Sequence, residues 1–282
     1  MNLTFKDNKT NADFRIIDGN EEFDRLFFTR DRKDKLLTIA WNRGSAQKIM
    51  IDEAEYDFPA NSILPLMVNQ TFRFENAKDI VAWQFNRDFY CIIDHDKEVS
   101  CVGFIFYGSS QMMFIQLDEK EQDKITSLLQ IFEDEFETTD TIQGEMLRLL
   151  LVRLIITITR LAKQQYIAPE NEDDTKFNLY REYNIMVEQN YRTHHDVQFY
   201  AAALNKSPKT LANVFALYGK KTPLQIIQER VITEAKRLMY YTDKSMKEIA
   251  AETGFEDTSH FSRFFKKQTS TTPTEFKNTI KK

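Results

Sequence analysis

The chain is poor in cysteine, glycine, proline and histidine, and each shortage excludes something. Two cysteines in 282 residues, Cys91 and Cys101, cannot build a disulfide scaffold or a cysteine-rich metal centre. Both lie in apolar segments and read as buried core residues. Seven glycines and six prolines argue against long unstructured linkers. No glycine-rich phosphate loop and no Gly-x-Ser-x-Gly elbow occurs. Four histidines are present, His95, His194, His195 and His260. Only His95 lies in the first half, inside Asp94-His95-Asp96, and a metal site needs several such ligands converging, so a polar turn is the plainer reading. No metal, no cofactor and no catalytic residue is expected. A membrane span is not expected either. The most apolar stretch, Leu147 to Leu161, is short and interrupted by Arg148, Arg153 and Arg160. The start, Met1-Asn2-Leu3-Thr4-Phe5-Lys6-Asp7, has no apolar core of a signal peptide, so a cytoplasmic location is the expectation.

What is present is unevenly distributed. The net charge of −5 hides a basic end. Residues 176–282 hold 18 Lys and Arg against 11 Asp and Glu, a net +7, and residues 1–175 carry −12. A basic module joined to an acidic one is what nucleic-acid binding by the C-terminal part requires. The acidic part would be repelled by phosphate and should do a different job.

The first part reads as β. Apolar or alternating runs occur at Leu36–Trp41, Lys48–Ile51, Ser62–Val68, Thr71–Phe74, Ile80–Phe85, Phe89–Ile93, Val102–Tyr107 and Met112–Leu117. Asn42-Arg43-Gly44-Ser45 reads as a hairpin turn between the first two, and Asp94-His95-Asp96-Lys97 and Gly108-Ser109-Ser110 as further turns. Many short strands predict a sandwich or barrel over residues 1–117. Its aromatics, including Trp41, Phe72, Phe74, Trp83, Phe85, Phe89, Phe104 and Phe106, belong to a core or line an apolar cavity.

After Leu117 the period changes to about 3.6, so residues 118–167 are expected to hold two helices. Asp118 can cap the first, with Glu119 and Glu121 in its first turn. The second spans roughly Thr141 to Tyr166. Leu147, Leu151, Leu154, Ile158 and Leu161 form a heptad seam on it, flanked by Leu149, Leu150, Val152, Ile155 and Ile156. A helix apolar on two faces has two partners. The seam is therefore expected to make a homodimer, the other reading being an internal core helix. Residues 168–175, Ala168-Pro169-Glu170-Asn171-Glu172-Asp173-Asp174-Thr175, read as an acidic linker. It divides an effector-binding and dimerisation domain, 1–167, from an all-α domain, 176–282.

The C-terminal domain contains one pattern twice. A lead-in helix, Tyr180–Tyr191, places Tyr183, Val187 and Tyr191 on one stripe. The first helix-turn-helix covers about 196–218. Asp196 caps its first helix, Asn205-Lys206 makes the turn, Ser207 caps the second helix, and Pro208 occupies the first helical position. Leu211, Val214 and Phe215 point inward, leaving Lys209, Thr210, Ala212 and Asn213 outward, the positions that meet base edges. Gly219 closes that helix. A connecting helix, 222–241, carries Leu224, Ile227, Val231, Ala235 and Leu238 on one side. The second helix-turn-helix covers about 245–268. Ser245 and Glu248 form a capping box, and Gly254 supplies a left-handed turn. Phe261, Phe264 and Phe265 point inward, while Thr258, Ser259, Ser262 and Arg263 point outward. Arg263 is the best fit to a base, since its fork matches guanine O6 and N7. Ser207, Lys220, Lys221, Lys266 and Lys267 suit phosphates.

This stretch resembles the AraC/XylS family of bacterial transcription regulators. The resemblance rests on Ser207–Phe215, Gly219-Lys220-Lys221-Thr222-Pro223, Glu234-Ala235-Lys236-Arg237-Leu238-Met239, Ile249-Ala250, Gly254-Phe255, Ser259-His260-Phe261-Ser262-Arg263-Phe264-Phe265-Lys266-Lys267 and Thr272-Pro273-Thr274-Glu275-Phe276. Ser270 departs from the family's usual glycine. The resemblance implies a transcription factor that binds double-stranded DNA at an asymmetric site and can contact RNA polymerase. It also implies a cupin-like β barrel that takes a small effector, and helices that dimerise. Two alternatives stay open: a regulator without small effector, controlled by a protein partner or by abundance, and a cupin enzyme fused to a DNA-binding module.

Overall fold

The computed structural model describes residues 1–25, 36–52, 54–68, 70–92, 104–107, 112–167, 174–218 and 221–280. The chain divides into two compact units, Met1–Pro169 and Glu170–Lys282.

The first unit is built from two antiparallel sheets. One has the order β1 (Asn2–Asp7), β2 (Ala12–Asp18), β9 (Ile80–Phe85), β4 (Leu37–Asn42), β7 (Ser62–Leu66) and β10 (Ile115–Gln116). The other has the order β3 (Asp24–Arg25), β8 (Phe72–Phe74), β5 (Gln47–Ile51) and β6 (Ala54–Phe58). Register is set by pairs such as Ile39↔Trp83 and Ile49↔Phe74. Alternation sends Ala40, Leu64, Leu66 and Ala82 of the first sheet against Ile49, Ile51, Phe58, Phe72 and Phe74 of the second, one core between two facing sheets. The other face of the first sheet is covered by α2 (Glu119–Glu137): Phe132 lies 5.5 Å from Phe14 and 6.5 Å from Trp83. Strand β9 is thus buried on both faces, which is why it reads as a continuous apolar run.

Several expected elements are corrected. Within Val102–Tyr107, residues 102–103 fall outside the described residues and Phe104–Tyr107 forms a helical turn, α1. Ile105 and Phe106 are both buried although adjacent, a pattern that periodicity cannot assign. Phe89–Ile92 forms no strand. Asn86 turns the chain there, its Oδ1 accepting from the Phe89 amide at 2.9 Å. Met112–Leu117 shortens to the two residues of β10. Asn42–Ser45 is no hairpin, because β4 and β5 belong to different sheets. The Asn42 amide bonds the Ser45 and Pro59 carbonyls and pins the crossing. Strands β1, β2, β3 and β6 were not expected, since charged residues such as Lys6, Arg15 and Glu55 mask their pattern. The turns expected at 94–97 and 108–110, and Cys101, lie outside the described residues. Cys91 is buried.

Asp118 caps α2 through the Glu121 amide at 2.8 Å. Helix α3 (Gln143–Tyr166) packs beside it, and here the expected dimer seam fails. Leu147, Leu151, Leu154 and Ile158 are fully buried within the chain's own core, and Leu161 is half-buried. The seam's 4, 3 spacing is also the spacing of a core-facing helical stripe, and its partner is the protein interior. Of the flank, Leu150 and Ile155 are buried as well, while Leu149 is 63% exposed and Val152 and Ile156 are half-buried. No helix among the described residues is long and apolar enough to cross a membrane.

The second unit contains α4 (Asp174–Asn190), α5 (Val197–Ala203), α6 (Pro208–Tyr218), α7 (Pro223–Tyr241), α8 (Met246–Glu252), α9 (Thr258–Thr269) and α10 (Pro273–Ile280). Helix α4 starts at Asp174, inside the segment expected to be linker; residues 168–173 lie outside the described set. One apolar cluster runs through all of it. Tyr183, Tyr200, Leu211, Phe215, Ile227, Val231, Ile249, Phe261 and Phe265 belong to the same core.

Candidate nucleic-acid interface

The two repeats are built by the same local chemistry. Helix α5 begins at Asp196, whose carboxylate accepts from the Phe199 amide at 2.9 Å. It ends in a left-handed residue, Asn205 at φ 52°. The Asn205 amide donates to the Ala202 carbonyl (3.0 Å) and the Lys206 amide to the Ala201 carbonyl (2.9 Å). Helix α8 begins at Ser245 with a reciprocal capping box to Glu248 and ends in Gly254 at φ 87°. The Gly254 amide donates to the Ala251 carbonyl (3.1 Å) and the Phe255 amide to the Ala250 carbonyl (2.9 Å). This pair of bonds is the Schellman turn, which reverses the chain sharply and satisfies the last carbonyls of the helix. The next helix then starts after two or three residues, on Ser207 in one unit and on Asp257 in the other.

These second helices present the faces that matter. On α6, Leu211, Val214 and Phe215 are buried, and Lys209, Thr210, Ala212 and Asn213 are exposed. Lys209 has no ion-pair partner among the described residues. The hydroxyls of Ser207 and Thr210 lie 2.9 Å apart, and Ser207 Oγ also accepts from the Thr210 amide. Capping therefore engages both side chains before any ligand arrives. On α9, Phe261 and Phe265 are buried and Phe264 is half-buried. Ser259, Arg263, Lys266 and Lys267 are exposed, whereas Thr258 and Ser262 are only half-exposed. Arg263, Lys266 and Lys267 have no ion-pair partner among the described residues, so their charge is available to a ligand. Asp257 accepts from the Ser259 and His260 amides, and these bonds, with the nearby Arg263 charge, hold its carboxyl below the usual range. Lys221, expected to hold a phosphate, instead pairs with Glu229 at 2.6 Å, and Lys220 and Gly219 lie outside the described residues.

The connecting helix α7 buries Ile227, Val231, Ala235 and Leu238, but Leu224, expected on the same stripe, is exposed. What sequence reasoning missed is a charged centre on its other side. Glu234 is 1% exposed and is surrounded by Arg192 (3.3 Å), Arg230 (3.2 Å) and Arg237. Arg230 also takes a bidentate grip on Glu188 of α4, at 2.5 and 2.9 Å. Burial pushes the Glu234 carboxyl up, but the Arg237 hydrogen bond and the three guanidinium charges outweigh it and lower its pKa to about 2. The i, i+3 and i+4 spacing of Arg230, Glu234 and Arg237 was the available signal.

Two capped helix pairs, each closed by the same turn and each offering an exposed polar helix face, with Lys209 on one and Arg263, Lys266 and Lys267 on the other, define a tandem helix-turn-helix domain. Residues 200–279 match the family model described as "Helix-turn-helix domain". The C-terminal unit is a helix-turn-helix domain of the AraC type. An uncharacterised HTH-type transcriptional regulator from Pseudoalteromonas carrageenovora is 34% identical over 96 residues, covering 34% of this chain. The chain spans 57% of the length of that curated relative. Among solved structures, the C-terminal domain of the response regulator YesN from Fusobacterium nucleatum is similar at 24% identity and TM-score 0.32, covering 34% of this chain and 93% of that one. ToxT from Vibrio cholerae O395 is similar at 15% identity and TM-score 0.41, covering 95% and 97%. The assignment rests on the family match and the geometry of the two repeats.

Proposed function

We propose that the chain is a DNA-binding transcription regulator whose two helix-turn-helix units read two blocks of one asymmetric site. The observation that carries this is the repeat itself: α6 and α9 leave Lys209, Asn213, Ser259 and Arg263 exposed in the first two turns of helices that enter a major groove in this motif. Thr210, Thr258 and Ser262 are secondary base contacts, since capping or partial burial limits them. Lys266 and Lys267 serve phosphates, with Ser207, Lys220 and Lys221 in the same role; Lys221 must first leave Glu229. Selection of duplexes from a random pool at about 150 mM salt tests this. Enrichment of two blocks about one helical turn apart supports it, and binding that only vanishes with salt refutes it. Arg263→Ala should cost about 1–3 kcal/mol on the selected site and relax one base position. An equal loss on every sequence would make Arg263 a phosphate contact.

The first unit is proposed to receive the controlling signal and to dimerise, as effector-binding and dimerisation domain 1–167. A second copy of this chain is proposed to dock on the outer face of α3. Leu149, Val152, Ile156 and Leu161 floor a groove of about 610 Å³ between α2 and α3 there. Arg153 and Arg160 line the same groove with Glu121 and Lys124, which pair with each other at 3.2 Å, and a two-fold related copy would bury the apolar floor against itself. A small effector is the first reading of the signal. Packing of Phe23, Phe58, Phe72 and Phe74 at 5.4–6.0 Å between the sheets favours the second, control without one. A thermal-shift screen separates them. Contact with RNA polymerase and a cytoplasmic location belong to the same proposal.

A further inference from the structure

Three of the four histidines meet at one joint between the two helix-turn-helix units. The loop after α4, residues 191–196, is fastened to the first unit. The Tyr200 hydroxyl donates to the His194 carbonyl at 2.9 Å, and the His194 ring stacks on Phe199 at 3.5 Å. Its other side lies against the turn of the second unit. A side chain at Gly254 would overlap the Arg192 carbonyl and come within 2.9 Å of His195 Nε2. The His195 ring sits 4.8 Å from Phe255 and lies nearly parallel to Phe264 at 6.5 Å. Phe255 in turn meets His260 edge-on at 5.4 Å. His195 Nε2 is enclosed without a hydrogen-bond partner. The turn that opens the second recognition helix therefore rests on one imidazole held by the first unit.

We infer that His195, in its neutral form, is the positioning residue that holds the second helix-turn-helix in register with the first, so that simultaneous reading of two DNA blocks depends on it. The inference rests on the proposed DNA-reading role. Burial and the neighbouring cations disfavour charge on the ring, against the Tyr191 and Thr253 carbonyls, which favour it. Arg192 and His194 lie on its own loop and His260 on α9 faces it. Asp196 and Asp257 are engaged in capping the Phe199, Ser259 and His260 amides. Burial depresses the His195 pKa; the Tyr191 and Thr253 carbonyls act the other way, and His260 and His194 add to the depression. A histidine depressed in the folded state contributes its stability above the unfolded value, about 6.5, and loses it as pH falls below that.

The test uses the full chain with two duplexes, the one selected from the random pool and the same duplex with its second block scrambled. The ratio of the two affinities is measured from about pH 7.5 to about pH 5.5, the range in which histidine titrates. The wild type should lose its preference for the two-block duplex as pH falls, while one-block binding persists. His195→Phe keeps the ring contacts but cannot charge, so its ratio should stay within about twofold, or about 0.4 kcal/mol, across the range. His195→Gln, neutral and smaller, replaces it if the Phe variant fails to fold. A flat wild-type ratio, or the same slope in both proteins, overturns the inference. A second readout needs no DNA: NMR titration of the imidazoles and hydrogen exchange of residues 253–264. His195 should titrate below the usual value, and exchange in that segment should rise as it charges. His195 titrating at or above the usual value overturns the inference. If the pool yields no two-block site yet the exchange result holds, the DNA reading fails and the joint stands.

Discussion

Replacing Glu234 by Gln should unfold the C-terminal unit far more easily than its single lost charge would at a surface. Glu234 is almost fully enclosed by Arg192, Arg230 and Arg237, so screening by water is minimal. Its carboxyl ionises at about 2 in the folded chain against an ordinary 4.5. That difference stabilises the fold by about 3 kcal/mol at neutral pH. Loss of one partner from a buried ion cluster costs about 3–5 kcal/mol, which is consistent. Because the folded value is the depressed one, the contribution is complete above about pH 4.5 and fades as pH falls toward 2; at pH 3 roughly half of it or less should remain. The assay is urea unfolding of the full chain at pH 7 and pH 3, followed by circular dichroism at helical wavelengths. Both tryptophans, Trp41 and Trp83, lie in the first unit, so their fluorescence is an internal reference that Glu234→Gln should leave unmoved. At about 1–3 kcal/mol per molar urea, the dichroism midpoint should drop by about 1–3 M at pH 7. Coincident curves for variant and wild type, or a difference that ignores pH, would refute the argument.

Three further outcomes are expected. Gly254→Ala should destabilise the same unit by about 2–4 kcal/mol, since Gly254 combines φ 87° with no room beside the Arg192 carbonyl; chemical denaturation measures it, and a loss below about 0.5 kcal/mol contradicts the packing. Ser270→Gly should raise stability by about 1 kcal/mol, because Ser270 caps α9 at φ 64°, where a side chain is strained; a lower thermal midpoint would count against this. Leu151→Glu places a charge at a fully buried position and should unfold the first unit, whereas Leu149→Glu should leave it folded and monomeric by sedimentation. A folded Leu151→Glu monomer would restore the seam.

Much of the C-terminal domain is legible in the order of its residues. Asp196, Ser207, Thr222 and Ser245 announce their helices because a capping side chain acts on amides within three residues. Gly254 announces its turn because few other residues adopt a positive φ there. Asn205 plays the same part in the first helix-turn-helix, and its neighbour Lys206 closes the turn with a backbone bond that any residue can make.

The sheets are harder to read. Strand β9, buried on both faces, announces itself; β1 and β6, at the sheet edges, do not, because their polar faces look like loop.

By itself, then, the sequence determined whatever depends on neighbours within a turn or two: caps, left-handed residues, inward stripes, the doubled motif and the split in charge. Only the tertiary structure decided what distant segments do to one another. It turned Leu147, Leu151, Leu154 and Ile158 from an interface into a core. It tied Lys221 to Glu229, gathered three arginines on Glu234, and set His195 beneath Gly254. The physical reason is that a helical stripe records that a face is covered, while the identity of the cover, and the pairing of charges across elements, is written only in how the chain packs on itself.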